Sequence, residues 1–188
     1  GDVGAGTATA VDTGTGLPYI AYYDASNGDL RLYRCATATC SSGSSVLVDG
    51  TGDRGRNPAI AIRDGVMTLV YDDSDSDELR VATAAAPYEI FTRTVVAPGS
   101  NAALTLTAAG LADIVFSGPM LSLERRRCTT SACTAFDTPG AVSAAIGSGV
   151  APSVVLLPSG NLFVTHRDEA TGDLRGSVCN NADCDNPQ

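Results

Sequence analysis

The sequence predicts an all-β chain of the β-propeller class. Three observations lead there. The stretch Leu17–Cys40, LPYIAYYDASNGDLRLYRCATATC, reads as an apolar strand, a turn rich in Asp, Asn and Gly, a second strand and a cysteine loop. β-branched and aromatic runs around an Asn-Gly turn are the strongest short-range signal for a hairpin. The unit then recurs three more times, and no window keeps a helical period for the ten or so residues a helix needs.

The recurrence sets the register. Leu30, Leu79, Leu123 and Leu174 correspond on the strand after the turn, within Gly28-Asp29-Leu30-Arg31, Asp77-Glu78-Leu79-Arg80 and Gly172-Asp173-Leu174-Arg175. The third copy, Leu121-Ser122-Leu123-Glu124, is the weakest. On the strand before the turn Tyr22, Tyr71, Phe116 and His166 correspond. The period is therefore about 45–50 residues, that of a four-stranded propeller blade.

In order, the first repeat offers strands at Thr7–Val11, Pro18–Tyr23 and Leu30–Arg34. The second opens on Ser45–Val48 and continues through Ala59–Ile62, Met67–Tyr71 and Leu79–Thr83. Ala84-Ala85-Ala86-Pro87 stands where its cysteine loop would be. The third runs through Thr92–Val96, Ala103–Thr107, Ala112–Phe116 and Ser122–Arg127, and the fourth through Ala141–Ile146, Ser153–Leu157, Leu162–His166 and Leu174–Val178. These boundaries make one domain or segment over residues 1–188, with repeats at 1–43, 44–90, 91–138 and 139–188. The first repeat is then one strand short. Runs apolar on both faces, such as Ala59-Ile60-Ala61-Ile62, fit stacked blades better than a sandwich with one wet face. The missing strand points to a segment of a larger ring, with imperfect four-blade closure or a two-chain ring of eight as the alternatives.

Composition bounds the partners. A net charge of −9, with every basic residue an Arg, argues against a nucleic-acid backbone and against an anionic membrane surface. No apolar run reaches the roughly 18–20 residues a membrane helix needs, and no basic-then-apolar leader stands at Gly1. The six cysteines fall as Cys35/Cys40, Cys128/Cys133 and Cys179/Cys184. One short spacing repeated at one place in the repeat points to local disulfides. Zinc sites bring cysteine pairs together in space, whereas blades hold these pairs apart. Disulfides imply an oxidising compartment: secreted, cell-surface or periplasmic.

The phrase from Gly16 through Leu17-Pro18-Tyr19-Ile20-Ala21-Tyr22-Tyr23 to Asp24, followed by Asn27-Gly28-Asp29-Leu30, resembles a repeat of uncharacterised secreted bacterial propeller proteins. That group is distantly similar to the sialidase-type Asp-box propellers. The resemblance spans all four repeats, well in the first and poorly in the third, and implies the propeller fold. The turns keep an acidic residue but lack the rest of the Asp-box pattern, so it does not carry sialidase residues over.

The remaining constellations each have a structural and a functional reading. Asp73, Asp75 and Asp77, alternating in the turn Asp72–Glu78, could offer oxygens to calcium, or could cap backbone groups at a solvated hairpin tip. Tyr22, Tyr71, Phe116 and His166 could stack on sugars, or pack between blades. Arg125-Arg126-Arg127 could meet an anionic partner, or form a hydrated outer edge with Arg125 and Arg127 on one face. Arg31, Arg80 and Arg175, beside the acidic turn residues, read as structural ion pairs or as edge charges. No pair of carboxylates stands out for glycoside hydrolysis, and no catalytic residue is named. The expectation is therefore a non-enzymatic extracellular module for binding or assembly, meeting a protein or glycan surface and able to form a homodimer or larger assembly. No cofactor beyond calcium is expected. The alternatives are a segment of a secreted sialidase-like glycoside hydrolase and a carbohydrate-binding lectin propeller.

Overall fold

The computed structural model describes residues 1–143 and 150–179, which form four antiparallel sheets. The first holds β1 (Val3–Asp12), β2 (Leu17–Asp24), β3 (Asp29–Cys35) and β4 (Gly43–Asp49). The second holds β5 (Arg54–Arg63), β6 (Val66–Asp73), β7 (Glu78–Ala85) and β8 (Thr92–Pro98). The third holds β9 (Ser100–Leu106), β10 (Ala112–Ser117), β11 (Leu123–Arg127) and β12 (Gly140–Ser143), and the fourth β13 (Val150–Leu156), β14 (Leu162–Arg167) and β15 (Leu174–Cys179). Each is an up-and-down meander in chain order, a propeller blade.

Local chemistry closes the hairpins. At the β2–β3 turn the N–H of Gly28 reaches the Asp24 carbonyl at 2.8 Å, and Gly28 takes a φ of +73°. The fourth blade repeats this with Gly172 on Asp168 at 2.7 Å, φ +77°. Only glycine takes such angles without a steric penalty.

The blade boundaries lie one strand later than the sequence reading placed them. Ser45–Val48 belongs to β4 and pairs with β3, Leu32 opposite Val46. It therefore completes the first blade. Period alone does not say where a repeat is cut; the tight loop after Cys35 does, by returning the chain antiparallel beside β3.

Strand alternation buries both faces of the middle blades. β1 packs on β5, β5 on β9 and β9 on β13, so the first strand of each blade lies innermost. Between blades 1 and 2 lie Tyr19, Ala21, Leu30 and Leu32 against Met67, Leu69 and Tyr71. Between blades 2 and 3 lie Val70, Leu79 and Val81 against Ala112, Ile114 and Phe116. Val115, Leu123 and Val142 meet Leu162 and Val164 between blades 3 and 4. Polar clasps cross the same seams: Tyr71 donates its hydroxyl to Asp49 at 2.8 Å, Tyr88 to Asp12 at 3.1 Å, and Thr83 to the Ala132 carbonyl at 3.0 Å.

The arginine run is not a hydrated edge. β11 lies between β10 and β12, and Arg125 is fully buried. Its Nε donates to Asp113 at 2.8 Å and its Nη1 to Asp137 at 3.1 Å. Arg127, on the same face, reaches Asp113 at 2.9 Å. The run is a buried charge network because Asp113 sits opposite Arg127 on β10. Arg31, Arg80 and Arg175 pair with Asp29, Asp73 and Asp168 at 3.4, 2.6 and 3.2 Å.

Candidate functional site

Each innermost strand has a bulge near its start, at Gly6, Asn57, Asn101 and Ala151, all at positive φ. These four residues and the ones that follow them line a central depression of about 270 Å³. A second cavity, of about 350 Å³, opens between blades 2 and 3 and is lined by Asp72, Asp73, Asp77, Ser100, Ser117 and Leu121 among others. Asp72 joins the two places.

Asp72 ends the apolar run of β6 and is buried. One carboxyl oxygen accepts the Asn57 side-chain amide at 2.8 Å, and the other accepts the Asn101 backbone N–H at 3.0 Å. It thus ties the inner strand of its own blade to that of the next. Burial pushes its carboxyl up to about 6, against the opposing pull of Asn57, Asn101 and the Arg56 charge. The group is protonated at mildly acidic pH.

Arg56 is the cross-strand neighbour of Asp72. It also binds Asp53 at 2.9 Å and lies over the Tyr23 ring, 5.1 Å from its centroid. Tyr23 donates its hydroxyl to Asp53 at 2.5 Å. Arg56 and then Tyr23 hold the Asp53 carboxyl below the usual range, so it is ionised. Two carboxyl groups whose environments drive them in opposite directions thus flank one guanidinium, the pattern that separates a proton donor from an ionised partner.

Repeat position marks this cluster. The slot of Asp72 is held by Tyr23, Ser117 and Arg167 in the other blades, and that of Arg56 by Ala5, Ser100 and Val150. Sequence reasoning missed Asp72 because it adjoins the acidic turn and looks like its first member. The available signal was its alignment with Tyr23.

Of the residues singled out from sequence, Asp73 and Asp77 line the second cavity beside Asp72, and the aromatic column lies elsewhere. Tyr71, Phe116 and His166 are buried in three successive blade seams, while Tyr22 is half-buried and bonds Ser45 at 2.7 Å, so the four do not share a surface. Asp73 lies between Arg54 and Arg80 at 2.7 and 2.6 Å, and Asp75 accepts the Asp53 N–H at 2.9 Å. Among the described residues no group of three or more His, Cys, Asp or Glu side chains is placed to hold a metal ion. Cys35–Cys40 and Cys128–Cys133 are disulfides, each with Cα atoms 4.8 Å apart. The third expected pair involves Cys184, and the predicted strand Ala141–Ile146 runs past Ser143; both extend outside the described residues. No described helix is long and apolar enough to cross a membrane.

No protein-family model matches the chain. No curated protein matches it either. Solved structures do. AofleA from Arthrobotrys oligospora superposes with a TM-score of 0.70 at 13% identity, over 97% of this chain and 57% of that one. The Bacillus subtilis arabinanase superposes at 0.64 and 11%, over 97% and 74%. An exo-β-1,3-galactanase from Phanerochaete chrysosporium superposes at 0.68 and 12%, over 98% and 49%.

The fold is one that glycoside hydrolases use. That corrects the expectation of a non-enzymatic module, which rested on finding no singular polar cluster in the repeats. The propeller matches include enzymes, and Asp72 with Arg56 is such a cluster. This chain spans 57% of the first of these structures, so it is similar to part of a longer propeller.

Proposed function

We propose that this chain belongs to a glycan-cleaving propeller that works in the groove beside Asp72 by general acid–base chemistry. The observation that carries the reading is the buried Asp72 carboxyl, protonated up to about pH 6 and lining an open cavity between two blades. Asp72 gives its proton to the glycosidic oxygen as the bond from that oxygen to the anomeric carbon breaks. Water adds to the anomeric carbon and Asp53, ionised, takes the proton released. Solvent then reprotonates Asp72 and takes the proton from Asp53. The fold likeness to an arabinanase and a galactanase supports the glycan class and selects no particular sugar, sialic acid included. The two disulfides support a secreted protein.

The test is reducing-sugar release from arabinan, xylan and β-1,3-galactan between pH 4 and 8, for the wild type and Asp72→Asn. Cleavage should fall as pH rises through about 6, and the substitution should lower it by about 10²- to 10⁴-fold. Equal rates in the two proteins, or glycan binding with no cleavage, would refute the proposal.

A further inference from the structure

The three blade seams repeat one geometry. On the second strand of each blade, one face packs on the preceding blade: Met67, Leu69 and Tyr71, then Ala112, Ile114 and Phe116, then Leu162, Val164 and His166, all buried. In blade 1 the equivalent residues are Pro18, Ile20 and Tyr22, and all three are only half-buried. Val11 and Leu47 on the same face are 50% and 49% exposed. The opposite face packs on the following blade through Tyr19, Ala21 and Tyr23, then Thr68, Val70 and Asp72, then Asp113, Val115 and Ser117, again all buried. In blade 4 that face carries Phe163, Thr165 and Arg167, with Phe163, Val155 and Leu174 37%, 51% and 80% exposed. The two bare faces are therefore the two sides of the seam found three times inside the molecule.

A glycine reports the same vacancy. Gly55, at φ +114°, is pressed so closely on the preceding blade that a Cβ there would lie 2.6 Å from the Leu30 Cα. Gly4 holds the equivalent place in β1, at φ +95°, with nothing within 4 Å. A close-approach position is kept with no described residue approaching it.

We propose that both faces are covered by a further blade of the same kind, a four-stranded antiparallel sheet inserted between blade 4 and blade 1. Continuity with the internal seams defines its chemistry. Small or apolar side chains on its second strand cover Ile20, and a carboxylate at the end of its outer strand accepts the Tyr22 hydroxyl. In the seam of blades 1 and 2 Ala21 on β2 packs in one cluster with Leu69, and Asp49 at the end of β4 receives Tyr71. Solved propellers that superpose on nearly all of this chain are matched over only 74% and 49% of their own length, which leaves room for one blade or more.

The chain itself supplies a test blade. Val3 and Arg54 hold the same register place, opposite Asp24 and Asp73, so a copy of residues 1–51 can be joined ahead of Gly1 in correct phase. The 188-residue chain should bind a hydrophobic dye and self-associate without a defined size in light scattering. The extended chain should be less associated, bind less than half the dye and melt higher. Tyr22→Phe should lower the melting temperature of the extended chain by more than that of the parent, where only the exposed bond to Ser45 is lost, a difference that general stabilisation would not produce. A parent chain that is a clean monomer without dye binding would overturn the proposal, because the faces would need no cover. A clean dimer with both faces hidden would overturn it in favour of a second copy, and an extended chain as sticky as its parent would overturn it as well.

Discussion

Asn57 donates its side-chain amide to Asp72 at 2.8 Å from a residue held at φ +47°. The bulge that places Asn57 in the left-handed region is also what aims its amide across the β5–β6 pair. Asn57→Gly keeps that backbone accessible and removes the donor. The Asp72 carboxyl should then titrate higher than about 6, since the lost bond favoured the charged form. Carbon-detected NMR of the aspartate carboxyls reads this directly, and a downward shift would show that Asn57 does not hold the ionised form.

Asp72 should also leave a mark on stability. Its carboxyl is raised from 3.8 to about 6 in the folded chain. A raised carboxyl contributes stability that is complete below about pH 4 and is lost as pH climbs through about 6, by up to about 3 kcal/mol. Asp72→Asn should flatten that decline, at the expense of about 1 kcal/mol from one lost acceptor. Denaturant melts at pH 4, 6 and 8 check it. Parallel curves for the two proteins would mean Asp72 is ionised throughout.

Tyr71 is buried, and its hydroxyl reaches Asp49 across the seam of blades 1 and 2. Tyr71→Phe leaves Asp49 with Arg54, 3.6 Å away, as its remaining charged partner. The expected loss is about 1–3 kcal/mol in urea unfolding. Loss below about 0.5 kcal/mol would place the seam's strength in its apolar contacts alone.

Arg125→Met takes one of two guanidinium partners from the buried Asp113 and should cost about 1.5–3 kcal/mol. Asp113 would retain only Arg127 among its present arginine partners. The double variant Arg125→Met/Asp113→Leu should recover much of that loss, because desolvating an ion pair offsets its attraction. A double variant no better than the single would mean the network also fixes the loop that carries Asp137.

Much of the fold was legible because strands signal locally. Asn27-Gly28 announces the first hairpin, and the Arg80 and Arg175 partners follow from their place beside acidic turns. The aromatic column Tyr22, Tyr71, Phe116 and His166 was visible as a repeat position. Which face of the blade it occupies was not, since β runs apolar on both sides carry no label for inside. Arg125-Arg126-Arg127 misled for a related reason. A charged strand reads as an edge until Asp113, on the strand beside it, is seen to neutralise it. The Ala84–Pro87 stretch gave no sign that Tyr88 would turn inward, 5.0 Å from the Tyr19 ring and edge-on to it.

By itself the amino-acid order determined the all-β class, the blade period, the turns and the local cysteine spacing. All of these arise from contacts within a few residues of one another or from repetition along the chain. Only the tertiary structure decided that β4 closes the first blade, that Asp72 reaches Asn101 in the next, and that the two end faces lie bare. Those relationships join neighbouring strands or different blades altogether, as Asp72 and Asn101, 29 positions apart, do. Burial, which sets the protonation of Asp72, exists only once the blades stack.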